Sequence, residues 1–131
     1  MILGGMSAEN VELVERMLEL FHGGDVEGVL ACYSPDVVVD ASRRPDGATG
    51  RGLEDLGRII GEWVGAFDEW TEEIHEVRDL GDEVLVLATQ RGRGKGSGVP
   101  VEARYVTVFA VRDGRIVSFT LYPDPEDAPA G

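Results

Sequence analysis

The side chain of this sequence best suited to acid–base chemistry is Asp40. It follows three consecutive valines at positions 37–39, a β-branched stretch typical of a strand. Apolar surroundings disfavour a charged carboxylate, so we expect the pKa of Asp40 to lie above its ordinary value, as a general acid or base needs near neutral pH. The alternative is a solvent-facing strand end, because a shift of one residue reverses the direction of a strand side chain.

Hydroxyl and aromatic side chains farther along the chain are expected to line one cavity. They are Tyr33, Trp63, Phe67, Tyr105, Thr107, Phe109 and Phe119. A few polar groups among aromatic rings form the usual lining of a small-molecule site, with Tyr33 or Thr107 able to polarise a ligand oxygen. The sequence equally allows a filled core in which the backbone satisfies each hydroxyl.

Other kinds of chemistry find no support in the sequence. His22 and His75 have no neighbours at metal-ligand spacing, and a nucleophile elbow and a dinucleotide fingerprint are both missing. We therefore predict neither a metal nor a cofactor. The glycines of residues 92–98 join two strands and open no helix, which favours a mobile surface hairpin over a phosphate-binding loop.

Composition restricts the class of protein and its partners. The chain has 131 residues, 43% of them hydrophobic, as expected for one globular domain. Its 25 acidic and 12 basic residues give a net charge of −13, which disfavours binding to nucleic acid and to anionic membranes. Cys32 is the single cysteine, and the sequence has neither a signal peptide nor an apolar run of roughly 18 residues. A cytoplasmic protein is the expectation.

Hydrophobic periodicity predicts helices in the first half of the chain and strands in the second. Ser7 caps a first helix to about His22, and Asp25 caps a short second helix that carries Tyr33. The third helix starts near Leu53. Residues 43–52 form a loop, and the predicted strands are 37–40, 70–79, 83–92, 100–112 and 115–122. Residues 1–6 are an extension or disordered, 7–122 form the domain, and 123–131 are a disordered tail.

Three helices followed by hairpins indicate an α+β fold in which the helices pack on a curved antiparallel sheet. The strands 83–92 and 100–112 are apolar on both faces, since Val106 and Val108 alternate with Tyr105, Thr107 and Phe109. The helices can cover only one of these faces. We therefore predict a homodimer in which a partner subunit covers the other.

The order of these elements resembles that of the nuclear transport factor 2-like superfamily, and within it the SnoaL-like branch. The resemblance is carried by Gly24-Asp25, by the segment 33–40 and by Asp113-Gly114-Arg115-Ile116. It implies a cone-shaped pocket between the long helix and the curved sheet, and commonly a dimer across the outer sheet face. It does not fix an activity, because this fold hosts isomerases, cyclases, dehydratases, epoxide hydrolases and non-catalytic domains.

Alignment with the ketosteroid isomerases of that superfamily implies that their catalytic groups are missing. Their donor tyrosine falls on Met17, their protonated acid on Thr107, and their base nearest Ala41. The arginine and aspartate set of the epoxide hydrolases is not found either. Two hypotheses stay open. The first is a cofactor-independent isomerase, cyclase or lyase acting on an apolar carbonyl compound. The second is a non-catalytic ligand-binding or dimeric accessory domain.

Overall fold

Three helices and six strands follow one another in a computed structural model that describes residues 2–45 and 47–129. The helices are α1 (Ile2–His22), α2 (Val26–Ala31) and α3 (Gly52–Gly65). The strands are β1 (Tyr33–Asp40), β2 (Thr49–Arg51), β3 (Phe67–Asp79), β4 (Glu83–Gly94), β5 (Pro100–Arg112) and β6 (Arg115–Tyr122). Among the described residues, no helix has the length and apolar content needed to cross a bilayer.

The strands form one curved, open sheet in the order β2-β1-β6-β5-β4-β3. The pairing is antiparallel except between β1 and β6, which run parallel. The predicted α+β fold is therefore confirmed, but the sheet is mixed and not purely antiparallel. Two irregularities in the pairing of β3 with β4, between Asp68 and Thr71 and between Ile74 and Glu76, add local bends to a long strand.

Local sequence explains where α1 ends and where α2 and α3 begin. α1 stops at Gly23-Gly24, where Gly24 takes a φ of +78° that other residues rarely adopt. The Asp25 carboxylate accepts the backbone N–H of Gly28 at 2.9 Å and so caps α2, as predicted. Asp55 lies in the first turn of α3 and accepts the Arg51 N–H at 2.9 Å, which satisfies a donor at the positive end of the helix.

The boundaries near the first strand differ from the sequence prediction. α2 ends at Ala31 and has only 6 residues, so only two of the three predicted helices are long. Tyr33 begins β1 instead of ending the helix, because the Cys32 carbonyl already accepts the N–H of Ile116 in β6 at 2.9 Å. Pro35 lies within β1 at an irregularity in the pairing, where its missing N–H is tolerated.

The predicted loop 43–52 contains a further strand, and the glycine-rich hairpin is shorter than predicted. Residues 49–51 pair with the end of β1 as an edge strand too short to show periodicity. β4 continues to Gly94, whose N–H donates to the Val99 carbonyl at 2.9 Å, so the connection is reduced to residues 95–99. The strand pairing therefore includes residues that were predicted to be mobile.

Both chain ends carry structure outside the predicted domain limits. α1 begins at Ile2, so Ser7 lies within the helix and does not precede it. In the predicted tail, Pro125–Asp127 form one turn of 3-10 helix that packs against β5, while residues 130 and 131 lie outside the described residues. Asp124 stabilises this turn by accepting the Glu126 N–H at 3.0 Å.

The chain itself covers part of the sheet face for which the sequence predicted a partner. Leu85, Val106 and Val108 on that face are only 4%, 3% and 4% exposed. Ala128 from the C-terminal turn and Tyr122 pack against them, and the Arg43 guanidinium lies 4.5 Å from the centre of the Tyr122 ring. The homodimer stays a prediction, and the three core residues of this face do not require it.

Removing the C-terminal turn should change the oligomeric state. A chain ending at Tyr122 would lose Ala128 and expose apolar side chains of β4 and β5, and exposed apolar patches drive association. We expect light scattering to give a larger mass for the shortened chain than for the intact chain at equal concentration. Equal masses would show that this face takes no part in assembly.

Candidate functional site

A small cavity, called here the inner chamber, lies between the helices and the concave face of the sheet. Its volume is about 30 Å³, room for one or two water molecules. Five of the residues predicted to bind a ligand line it: Tyr33, Trp63, Thr107, Phe109 and Phe119. The other lining residues are Met17, Leu18, Phe21, Val29, Ile60 and Glu72.

Glu72 of β3 is the only carboxylate that lines the inner chamber among the described residues. Its side chain is 7% exposed, and His22 Nε2 lies 2.8 Å from its Oε1. Burial raises the pKa of Glu72, and the hydrogen bond from His22 opposes that rise. A buried carboxyl with a raised pKa and one positioned imidazole partner is suited to accept and return a proton.

Two hydroxyl groups of the inner chamber have free hydrogen-bonding capacity. The Tyr33 hydroxyl donates only to the Met17 thioether sulfur, 3.7 Å away, and a thioether is a weak acceptor. Burial, together with the charges of Cys32 and Glu72, raises the pKa of Tyr33 strongly, so its phenol stays neutral and keeps its proton. Thr107 is 5% exposed, and its side chain makes no hydrogen bond within residues 2–45 and 47–129.

The inner chamber adjoins a larger surface cleft between α2 and α3, called here the outer groove. This groove has a volume of about 300 Å³, and its walls are almost entirely apolar. Phe21, Val29 and Ile60 line both the groove and the chamber, so their side chains separate the two spaces. Gly57 and Gly61 of α3 form part of the groove wall, and a methyl group added at either position would meet no atom within 4 Å.

A third space, a shallow depression in the surface, gives Glu72 access to solvent. Phe21, His22, Trp70 and Glu72 border this shallow depression of about 510 Å³. The ring of Phe21 packs edge-on against Trp70 with 5.8 Å between ring centres. Since Phe21 borders all three spaces and Glu72 borders two of them, the carboxylate can exchange protons with water while it faces the inner chamber.

Comparison with known proteins identifies the family. The sequence profile of the SnoaL-like domain matches residues 14–119. The chain belongs to the SnoaL-like domain family. The predicted resemblance is thereby confirmed, and solved structures of nuclear transport factor 2-like proteins share the fold. No protein of curated function matches this SnoaL-like domain significantly.

Three solved structures illustrate the relationship. An NTF2-like protein of unknown function from Burkholderia pseudomallei has 27% identity and a TM-score of 0.76, over 91% of this chain and 93% of its own. A candidate SnoaL-like polyketide cyclase from Jannaschia sp. has 22% identity and a TM-score of 0.78, over 92% of this chain and 88% of its own. A protein with a ketosteroid isomerase-like fold from Catenulispora acidiphila, solved with trimethylamine, has 21% identity and a TM-score of 0.71, over 85% of this chain and 84% of its own. The last two show a shared fold only.

The structure places Asp40 of this SnoaL-like domain outside the inner chamber. Its Oδ1 accepts the backbone N–H of Ser42 at 3.0 Å and the Ser42 hydroxyl at 2.6 Å, and Arg43 lies 3.6 Å from Oδ2. The hydrogen bonds from Ser42 lower the pKa of Asp40, the opposite of the direction predicted from the sequence. Asp40 therefore occupies the alternative position, a hydrogen-bonded strand end that is partly open to solvent.

Two of the predicted ligand-binding residues lie elsewhere. Phe67, at the start of β3, packs against the core and borders none of the cavities described above. Tyr105 packs edge-on against Trp63, with ring centres 5.1 Å apart, and borders a separate cavity. No three His, Cys, Asp or Glu side chains in the described part of the chain are close enough together to hold a metal ion.

Glu72 was missed by sequence reasoning although a signal was present. Trp70, Glu72 and Ile74 alternate along one strand, and both Trp70 and Ile74 pack against the core. Strand side chains two residues apart face the same side of a sheet. A carboxylate between two core-facing residues was therefore the better candidate for a desolvated acid, and its partner His22 was assigned only to the end of α1.

Proposed function

We propose that this SnoaL-like domain is a cofactor-independent enzyme that moves a proton on a small apolar carbonyl compound, as an isomerase, cyclase or lyase does. The observation that carries the proposal is Glu72, a buried carboxylate with a raised pKa that lines the inner chamber and is held by His22. Groups whose pKa is shifted by burial are concentrated at catalytic sites.

The residues of the chamber suit one sequence of events. The apolar body of the ligand rests in the outer groove, and its carbonyl group passes Phe21 into the chamber. Glu72 removes a proton from the carbon next to the carbonyl. The electron pair of that C–H bond forms a carbon–carbon double bond, and the π electrons of the carbonyl move to its oxygen to give an enolate. Tyr33 and Thr107 donate hydrogen bonds to the enolate oxygen. Glu72 then returns the proton to the same or another carbon.

His22 has a positioning role in this scheme. Its Nε2 is 2.8 Å from Glu72 Oε1, so its N–H donates to the ionised carboxylate and holds it in one orientation. The side chain of His22 is 37% exposed and borders the same solvent-facing depression as Glu72. Family membership supports the same broad class, since one structural neighbour is a candidate polyketide cyclase and another has a ketosteroid isomerase-like fold.

A non-catalytic ligand-binding or accessory domain is the second candidate. The inner chamber holds only about 30 Å³ in this structure, less than any organic substrate needs. Met17 also occupies the position that the isomerase comparison assigns to a donor tyrosine, and a thioether cannot donate a hydrogen bond. A domain of this second class would bind a small apolar ligand in the outer groove without changing it.

Exchange of carbon-bound hydrogen in D₂O separates the two candidates without knowledge of the natural substrate. The intact protein is incubated with a panel of cyclic ketones and 1,3-diketones, and proton NMR follows the loss of each α-hydrogen signal. We expect exchange above the buffer rate for the apolar members that fit the groove. If panel members bind, as shown by tryptophan fluorescence, but none exchanges faster than in buffer, the non-catalytic function is the correct one.

A further inference from the structure

A separate cavity of about 80 Å³ lies near Trp63 and is called here the Tyr105 cavity. Trp63 borders both this cavity and the inner chamber. Its other walls include Arg44, Gln90, Tyr105, Leu121 and Pro123, and no carboxylate lines it. The space is sufficient for a few water molecules or for a group of similar size. Nothing in the proposed proton transfer uses these side chains.

The hydroxyl of Tyr105 is the first candidate donor of this cavity. Tyr105 is 2% exposed, and its fully buried hydroxyl has no hydrogen-bond partner in the described part of the chain. Buried polar groups are nearly always paired, because a donor that is removed from water and left unpaired costs free energy. The hydroxyl is therefore available to a group that enters the cavity.

Gln90 presents further donors to the same cavity. Its Oε1 accepts the indole N–H groups of Trp63 and Trp70, each at 3.0 Å. An indole nitrogen can only donate, so these two bonds fix the orientation of the amide and turn its NH₂ group away from the rings. That NH₂ group donates to no other residue within the described ranges.

Two arginines that line the cavity, Arg44 and Arg104, supply positive charge. Arg44 is half-buried and forms no ion pair among the described residues, whereas the adjacent Arg43 pairs with Asp40 at 3.6 Å. The chain as a whole carries a net charge of −13 and repels anions. An anion can therefore bind only where local donors and a local cation outweigh that repulsion.

We propose that the Tyr105 cavity binds the carboxylate group of a small organic acid. The Tyr105 hydroxyl, the Gln90 NH₂ group and the Arg44 guanidinium can all donate hydrogen bonds, and a carboxylate offers only acceptors, so the two sets are complementary. The apolar walls of Leu121, Pro123 and Trp63 suit a short hydrocarbon group attached to the carboxylate. The proposal does not depend on catalysis at Glu72.

Tryptophan fluorescence can measure anion binding in the Tyr105 cavity directly, because both tryptophans of the chain are hydrogen-bonded to Gln90. The intact protein is titrated at constant ionic strength with propionate, and in parallel with phosphate and chloride. We expect a saturable change with propionate and none with the other two anions. Phosphate or chloride binding as tightly as propionate would overturn the assignment to a carboxylate, and no saturable change with propionate would overturn the site.

Two variants and a matched control test which groups hold the anion. Tyr105→Phe removes a hydroxyl that has no partner, so the variant should melt at the same temperature as the parent or higher. Propionate binding should weaken on the order of tenfold in Tyr105→Phe and in Arg44→Gln, since each loses a bond to a charged group. Arg115→Gln removes an equal charge outside the cavity and should leave binding unchanged. Equal weakening in all three variants would reduce the effect to net charge and would contradict the proposal.

Discussion

Replacing Glu72 with glutamine should slow the α-hydrogen exchange of a carbonyl probe by roughly 10²–10⁴-fold, the usual contribution of a general base. Glutamine keeps the size of the side chain, and its amide oxygen can still accept a hydrogen bond from His22. It cannot take up the proton. The variant should fold, because a neutral amide replaces a carboxylate that is 7% exposed and whose charge is disfavoured by burial.

The pH dependence of the exchange reaction should identify the same group. The base must be ionised, so the rate of the parent protein should rise with pH through an apparent pKa above the ordinary 4.5 of a glutamate. Stability should have the opposite slope. The folded state holds the Glu72 proton more tightly than the unfolded state, so stability falls as pH rises from about 4.5 through the raised pKa. In Glu72→Gln both effects should be absent.

Two matched variants decide whether the effect belongs to this position. Glu73→Gln changes the adjacent carboxylate, which pairs with Arg91 at 2.8 Å on the other side of the strand and should leave the rate unchanged. Asp40→Asn tests the residue that the sequence favoured. A large loss of rate in Asp40→Asn with normal activity in Glu72→Gln would restore the sequence-based assignment and would reject the one made from the structure.

The long strands could be predicted because their pattern is local. The predicted ranges for β5 and β6 agree with the structure, and the turn at Asp113-Gly114 has the positive φ of +52° and +76° that this dipeptide favours. The parallel pairing of β1 with β6 could not be predicted in this way. It joins residues about 80 positions apart, and nothing in the sequence near Tyr33 or Ile116 records that contact.

The site was predicted only in part, for a related reason. Aromatic and hydroxyl residues are recognisable by type, and five of the seven predicted ones line the inner chamber. The acid depends on the direction of a single side chain. Asp40 ends its strand, and its carboxylate accepts a hydrogen bond from Ser42, two residues later. The direction of Glu72 is set by the core contacts of Trp70 and Ile74 on either side of it. The alternation of Trp70, Glu72 and Ile74 therefore predicted the direction of the acid better than the position of Asp40 at the end of a strand did.

The outer groove depends on glycines that weaken the helix forming its wall. Gly57, Gly61 and Gly65 repeat every four residues in α3, and none has the positive φ that would require glycine. A glycine inside a helix costs roughly 0.5–1 kcal/mol relative to alanine. Since a methyl group at any of the three positions would meet no atom within 4 Å, alanine would fit the folded chain. Gly57 and Gly61, which line the groove, therefore keep it open at a cost in helix stability.

Alanine at positions 57 and 61 should accordingly stabilise the protein and impair ligand binding. We expect urea unfolding to show a gain of about 1–2 kcal/mol for the double variant. The two methyl groups project into the groove, and overpacking of about 1–3 kcal/mol would weaken binding of the fastest-exchanging ketone by roughly 5- to 150-fold. Gly65→Ala is the matched control, because Gly65 does not line the groove. Because Gly65 is the last residue of α3, this substitution should add less stability than alanine at either interior position, and it should leave affinity unchanged. Unchanged affinity in the double variant would show that the ligand reaches Glu72 through the shallow depression bordered by His22 and Trp70 instead.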